Sequence, residues 1–226
     1  MILRLKFEKM GDIAYVSHRD LINVMSRSIR RAGILVKYSE GFNPHAKTSF
    51  SPALSLGVES RAEYMDMEVE DDSISCEEVL QRLNNSVPRG LRFLSVIRIE
   101  RSDSLSAIIT HSEYKILIDK QAVEEQILSK AVELIRDEEA LFIQKRNKRK
   151  EFKEVDVRDM IIKPEYLPLE HDYLISVVLQ NSSQGGLKPD DFMEIISRYS
   201  NTKIEDYRCL KTRSFSNHSG AMVALD

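Results

Sequence analysis

The residues best suited to binding chemistry lie between positions 38 and 57, just after a predicted basic helix. This segment holds two glycines and two prolines, which favour backbone geometry outside regular helices and strands. Aromatic rings there could stack on an unpaired base, and an amide could hydrogen-bond it. The sequence therefore predicts a binding loop. Its candidate side chains are Tyr38, Phe42, Asn43, His45 and Lys47.

Four arginines follow the outer face of the helix predicted at 17–32, and these are Arg19, Arg27, Arg30 and Arg31. The planar guanidinium group of arginine suits bidentate contacts with phosphate. Residues 1–48 contain nine Lys/Arg and four Asp/Glu in a chain of net charge −3, so any basic surface is local. The alternative is a solvated helix face whose last-turn arginines complement the helix dipole. Both interpretations stay open from the sequence.

A second basic cluster lies at the tip of a predicted hairpin, where five cations fall within residues 145–150. An exposed basic tip can bind RNA phosphates. It can equally keep the hairpin soluble and discourage edge-to-edge strand pairing. The candidates for RNA contact are Lys145, Arg146, Lys148 and Arg149.

His18 and His45 are weak candidates for catalysis, since either imidazole could transfer protons near neutral pH. Neither histidine has a carboxylate or a second base at a sequence spacing typical of a general acid–base pair. The sequence lacks the glycine-rich phosphate loop, the dinucleotide-binding motif and the nucleophile elbow. It also lacks paired metal-ligand histidines, and two cysteines are too few to hold an iron–sulfur cluster. We therefore expect this chain to bind no cofactor or metal.

The composition is that of a soluble protein, with 42% hydrophobic and 31% charged residues among 226. The first residues alternate in polarity, unlike a signal peptide, and no run approaches the ~18 apolar residues of a membrane span. Cys76 and Cys209 lie far apart, which suits a reducing compartment. These features predict a cytoplasmic protein with no membrane partner.

Hydrophobic periodicity predicts the order β-α-β-β-α-β in each half of the chain. In the first half the strands are expected at 3–7 (continued or paired back by 13–16), 34–37, 65–69 and 91–99. In the second half we expect strands at 113–118, 172–180 and 204–211, with a hairpin at 140–144 and 152–157. This order predicts an α+β fold of two tandem ferredoxin-like halves with antiparallel sheets. The predicted domains are 1–100 and 113–213, with a linker at 101–112 and a flexible tail at 214–226.

Four ordered motifs resemble the bacterial radical-SAM-linked protein family, a domain of unknown function. They are Tyr15–Leu21, Arg30–Gly33, Tyr38–Lys47 and Leu56–Ser60, and the resemblance extends over nearly the whole chain. The chain departs from the family motif at Ala46, where the family has proline between histidine and lysine. The polar groups of the loop are unchanged by that departure.

The resemblance implies a protein encoded beside, or fused to, a radical SAM enzyme. That partner can use S-adenosylmethionine, an iron–sulfur cluster and cobalamin. Such gene neighbourhoods often include ribonuclease and ribosomal-protein genes, which implies a connection with RNA. The family supplies no established activity and no catalytic residues to transfer to this chain.

We therefore expect an accessory RNA-binding module that works with a radical SAM enzyme, in RNA modification or processing, without catalytic activity of its own. One alternative is a metal-independent RNA-processing enzyme that uses His18 or His45. It would resemble the repeat-processing endoribonucleases of CRISPR systems in architecture only. A further alternative is a protein–protein adaptor whose loop docks the radical SAM partner.

Overall fold

The computed structural model describes residues 1–100, 103–146, 151–182, 185–218 and 221–225. The chain forms two compact units, the first comprising 1–110 with 213–226 and the second comprising 111–212. The fold is mixed α+β, and every strand pairing with a described register is antiparallel. Within these residues, no helix is both long and apolar enough to cross a membrane.

Among the described residues of the first unit, four strands and three α-helices precede the second unit. They are β1 (Ile2–Lys9), α1 (His18–Arg31), β2 (Thr48–Phe50), β3 (Glu59–Glu68), α2 (Cys76–Asn84), β4 (Leu91–Ile99) and α3 (Leu105–Ile108). The short helix α3 lies within the segment 101–112 that the sequence predicts as a linker. The sheet order is β4-β1-β3, and β2 pairs with the end of β3.

Strand β1 lies at the centre of this sheet, and its alternating pattern buries Leu3, Leu5 and Phe7 on one face. Leu5 lies opposite Met65 of β3 and Val96 of β4. These side chains belong to one apolar cluster that also includes residues of α1 and α2. The helices therefore cover one face of the sheet, and burial of this cluster fixes the position of α1.

Helix α1 begins and ends where the sequence predicts. The Ser17 hydroxyl accepts a hydrogen bond from the backbone N–H of Asp20 at 3.2 Å. Gly33 follows the helix with φ +66°, a left-handed conformation that glycine adopts without strain. Leu21, Met25 and Ile29 form the buried face. The opposite face, which carries the arginines, is consequently turned to solvent.

The predicted strand at 34–37 is a single bridge between Val36 and Val69, and the regular strand β2 lies later, at Thr48–Phe50. The edge of the sheet is interrupted because residues 38–46 leave it and return. The Lys37 N–H donates to Glu68 O at 2.8 Å, and the Glu68 N–H donates to Lys47 O at 3.0 Å. Lys37 and Lys47 thus meet at the same point of β3.

Residues 13–16 are expected to continue or pair with the first strand, but 13–15 belong to a 3-10 helix at Gly11–Tyr15 and Val16 is its C-cap. Its turn is closed by a hydrogen bond from the Val16 N–H to Ile13 O at 3.1 Å. The Gly11 N–H, at φ +64°, donates to Glu59 Oε1 at 2.7 Å. These contacts with a distant strand override the short apolar pattern that resembles a strand.

The remaining strands and α-helices, in chain order, are β5 (Ile109–Asp119), α4 (Glu125–Asp137), β6 (Phe142–Arg146), β7 (Phe152–Asp156), β8 (Ile161–Pro168), β9 (Asp172–Ser182), β10 (Gly185–Gly186), α5 (Pro189–Tyr199), β11 (Arg208–His218) and β12 (Ala221–Ala224). Three of these strands, β8, β10 and β12, are absent from the sequence-based assignment. Strands β5 and β11 contribute residues to both units, and β12 belongs to the first.

In the second unit the strand order is β9-β5-β11, and β8 pairs with the other side of β9. Strands β6 and β7 form a separate two-stranded sheet rather than joining this one. Sequence periodicity misses β8 because its polar and proline residues break the alternation, and its register shifts between Ile162 and Glu165.

The predicted flexible tail differs from the structure, in which 208–218 and 221–224 are strands. Phe215 to His218 pair with Ala221 to Ala224 as a hairpin. The Ser214 hydroxyl, fully buried, donates to Ala62 O at 3.0 Å. The polar composition of the tail hides the hairpin, and the contact with Ala62 is hidden because it joins residues 152 positions apart.

Candidate nucleic-acid interface

The arginines of α1 separate into two groups. Arg19, Arg27 and Arg30 are exposed, and within the described residues none of them has a hydrogen bond or ion-pair partner. Arg31 differs, since its Nη2 donates to Ser28 Oγ at 3.1 Å and to Ser86 O at 2.6 Å. Arg31 therefore ties α1 to the segment after α2. The other three are the cations available to an anionic ligand.

Residues 38–46 form an exposed hairpin-like loop, called here the 38–46 loop. Tyr38 and Ala46 are bridge partners, and the Ser39 N–H donates to His45 O at 2.8 Å. The His45 N–H in turn donates to Ser39 Oγ at 3.0 Å. The loop therefore closes on itself at its base. Its tip projects Phe42, whose relative exposure is 105%, beside the exposed Asn43.

A cavity of about 200 Å³ lies between α1 and the base of the 38–46 loop. Its apolar lining includes Ile29, Leu35 and Val36, and its polar lining includes Arg30 and Tyr38. Two predicted site residues from different elements thus meet at one cavity. Leu35 and Tyr38 remain 65% and 52% exposed, so the cavity opens onto an apolar surface.

Lys47 lies apart from this cavity. Its Nζ is 3.6 Å from Glu68 Oε2, an exposed pair across neighbouring strands. Both residues line a second, more polar cavity of about 340 Å³ that also includes Asp66. Asp66 is buried, and its carboxylate accepts hydrogen bonds from Arg4 Nε at 2.8 Å and from Arg4 Nη2 at 2.9 Å. The structure therefore places Lys47 in a paired setting beside the loop.

In the basic hairpin of the second unit, Lys145 Nζ donates a hydrogen bond to Gly186 O. Arg146 is the last residue of β6, while Lys148 and Arg149 lie outside the described residues. The flanking strands expose Phe142 and Phe152. Lys145 thus has a structural role in addition to the RNA contact predicted for it.

The two candidate catalytic histidines have different surroundings. His18, in the first turn of α1, packs edge-on against Phe50 with ring centroids 6.1 Å apart. His45 is exposed at the base of the loop. In the part of the chain that the structure describes, no carboxylate forms an ion pair with either imidazole. The same residues contain no cluster of three side chains that could hold a metal ion. The arrangement offers no acid–base pair.

Sequence reasoning missed three polar residues that line the cavity of α1, namely Ser26, Thr48 and Glu70. Ser26 precedes Arg30 by four positions and so lies on the same helix face, a signal that the sequence does contain. Thr48 and Glu70 are brought there by strand pairing, through the Glu70 N–H to Leu35 O bond of 2.9 Å. That pairing cannot be read from local patterns.

A family model described as an uncharacterized protein conserved in bacteria (DUF2344) matches residues 3–189. This span covers most of the chain. The protein belongs to this bacterial family. No curated protein matches the sequence of this DUF2344 member.

Two solved structures resemble the DUF2344 chain at 10% identity each. In a crystal structure of a Cbf5-Nop10-Gar1 complex, the match covers 94% of this chain and 48% of the other, with a TM-score of 0.49. The DUF2344 chain thus spans about half the length of that protein. A crystal structure of an unknown protein from Galdieria sulphuraria matches over 93% of this chain and 97% of the other, with a TM-score of 0.27. These similarities are too low to support a functional argument.

Proposed function

We propose that the protein is an accessory RNA-binding module that works with a radical SAM enzyme in the cytoplasm, in RNA modification or processing. The observation that supports RNA binding is the unpaired set Arg19, Arg27 and Arg30 beside an open apolar cavity. The exposed aromatic residues Tyr38 and Phe42 lie on the adjoining loop. The radical SAM partner rests on the motif resemblance alone.

The charges decide which mode of binding is expected. With a net charge of −3, the whole protein does not attract a polyanion, so binding must come from this local cluster. Three arginine–phosphate contacts on a single strand give a slope of roughly −2 in log K against log salt concentration. Stacking of a base on an aromatic ring adds affinity that depends little on salt.

Filter binding with single-stranded RNA fragments over a salt series tests the proposal. We expect salt-dependent binding that weakens strongly in the variant Arg19→Ala/Arg27→Ala/Arg30→Ala, with a flatter slope. The matched control is Arg61→Ala/Arg89→Ala/Arg92→Ala, which removes the same charge from exposed positions outside α1. No binding at low salt, or equal loss in both triple variants, would contradict the proposed interface.

Each unit is proposed to be ferredoxin-like. In its support, the first unit has the order β4-β1-β3 with β2 on the far side of β3, and the second has β11-β5-β9 with β8 on the far side of β9. Both follow the element order β-α-β-β-α-β when the β6–β7 hairpin is treated as an insertion. An experimental structure with a different strand order would refute this.

The adaptor alternative has one observation in its favour, the fully exposed Phe42 at the loop tip. A lone exposed aromatic side chain can anchor a protein interface. Pull-down of the radical SAM partner with Phe42→Ser separates the two functions. Loss of partner binding with unchanged RNA binding would assign the loop tip to the partner and leave α1 to the RNA.

A further inference from the structure

The cavity beside α1 has an unusual combination of charges for a surface that binds a polyanion. Glu70 lines it together with Arg30, yet no salt bridge joins these two residues. Glu70 is exposed, and within the described chain its carboxylate has no ion-pair or hydrogen-bond partner. A carboxylate in this position repels phosphate, so its presence needs a different explanation.

The size of the cavity restricts its occupant. Sites for drug-sized ligands and cofactors usually measure about 300–1,000 Å³. At about 200 Å³, this cavity has room for one flat ring system and too little for a complete nucleotide cofactor. Its walls are apolar at Ile29 and Val36, and Tyr38 stands at the opening. Such walls favour an inserted planar base over a phosphate group.

On these grounds we infer that the cavity holds one unstacked guanine of a single-stranded RNA, read by the Glu70 carboxylate. This inference rests on the proposed RNA-binding function and specifies its ligand. The Watson–Crick edge of guanine presents two neighbouring donors, N1–H and the N2 amino group. Both match a carboxylate, which is an acceptor only. Uracil presents carbonyl acceptors on either side of one donor, and these would face the carboxylate unfavourably.

The remaining lining residues fit this assignment. Tyr38 can stack on the base at the open side, and the unpaired Arg30 can hold the adjoining phosphate. The Ser26 hydroxyl donates to Ile22 O at 2.9 Å, which leaves its oxygen to accept a hydrogen bond. An acceptor-rich lining again favours a base edge rich in donors. The arginines of α1 thus supply affinity, while Glu70 supplies selectivity.

Fluorescence anisotropy with labelled nine-nucleotide oligouridines tests the inference, using guanine, inosine, cytosine or uracil at the central position. We expect guanine to bind about tenfold more tightly than uracil, as for a bidentate contact. Inosine, which lacks the N2 amino group, should fall between them. Glu70→Gln should abolish most of the preference for guanine, whereas Glu100→Gln, an equal charge change at another exposed position, should preserve it.

Ala46 offers a second, independent variant because it also lines the cavity. Ala46→Leu fills the space, so the preference for guanine should disappear while the salt-dependent binding to all four oligonucleotides remains. Equal affinity of the wild-type protein for all four, with salt dependence intact, would overturn the guanine assignment and leave the RNA interface standing. Absence of binding to every oligonucleotide would overturn both.

Discussion

At the scale of single residues, burial controls the titration of Cys209. Burial, with a smaller contribution from the negative charge of Asp190, raises the pKa of this thiol to about 12 from an ordinary value of 9.0. Thiolate is the reactive form of cysteine. Cys209 is therefore inert in the folded protein, and a redox or catalytic role for it is disfavoured.

This shift predicts a loss of stability at alkaline pH. Above about pH 9 the unfolded thiol loses its proton while the folded one keeps it, so stability declines with rising pH until the folded pKa near 12 is reached, above which the loss stays constant. The slope contributed is at most about 1.4 kcal/mol per pH unit. In urea unfolding between pH 9 and 11, Cys209→Ala should show a shallower decline than wild type. Cys76→Ala, at a partly exposed cysteine, should retain the wild-type decline.

The ion pair of Arg4 and Asp66 is the residue-scale contact with the largest expected effect on folding. The Asp66 side chain is 5% exposed and that of Arg4 is 16% exposed. Asp66→Asn removes the counter-charge that Asp66 supplies to the mostly buried Arg4 guanidinium, which should cost about 3 kcal/mol of unfolding free energy. The exposed i,i+4 pair of Glu78 and Arg82 is a contrast, since Glu78→Gln should cost less than about 0.5 kcal/mol. Equal losses in urea unfolding would contradict this ranking.

At the level of secondary-structure elements, the 38–46 loop projects from the sheet edge and takes no part in its strand pairing below Tyr38 and Ala46. The Lys47 N–H donates to Lys37 O at 2.8 Å, so the strand edge is rejoined directly below the loop. Tyr38 and Ala46 face each other as a bridge pair above that bond. A short turn could therefore replace the loop without displacing β2 or α1.

Replacing residues 39–45 with Asn-Gly between Tyr38 and Ala46 tests this separation of folding from binding. A two-residue turn suits antiparallel neighbours. We expect the unfolding free energy to change by less than about 1 kcal/mol, because loop closure depends weakly on loop length. Affinity for single-stranded RNA should fall, because Phe42, Asn43 and His45 are removed. Failure of this variant to fold would show that the loop supports the core.

Several elements follow from local sequence alone. The alternation of β1, the Ser17 cap, the glycine at position 33 and the exposure of the α1 arginines all depend on neighbours within one or two turns. The cavity cannot be predicted in this way. Thr48 reaches it because β2 pairs with β3, and Glu70 reaches it through its backbone hydrogen bond to Leu35. The contacts of Arg31 with Ser86, Lys47 with Glu68 and Lys145 with Gly186 are equally hidden from local patterns, since each joins residues at least 21 positions apart.

At the scale of the whole molecule, the first unit is discontinuous in sequence, since 213–226 return to it after the second unit. The returning segment covers part of the sheet. The Tyr64 hydroxyl donates to Leu225 O, and Leu225 packs on the cluster of Ala62, Tyr64 and Leu105. Completion of the first unit therefore requires residues from the end of the chain.

Removal of 221–226 should consequently destabilise the protein by about 2 kcal/mol, from lost apolar burial and loss of the hydrogen bond from the Tyr64 hydroxyl to Leu225 O. Urea unfolding monitored by circular dichroism measures this loss. Met222→Ser provides the control, because this side chain is 41% exposed and should have little effect. Unchanged stability after the truncation would contradict this role and support the flexible tail that the sequence predicts.

Single-stranded RNA is proposed to bind at α1 and the 38–46 loop. Ultraviolet cross-linking of the protein to a guanine-containing oligouridine, followed by mass spectrometry of the peptides, identifies the residues that contact the RNA. We expect RNA adducts on peptides containing Tyr38 or Phe42, and we expect their loss in the triple variant of Arg19, Arg27 and Arg30. Adducts confined to other peptides, or no adducts under binding conditions, would contradict this interface.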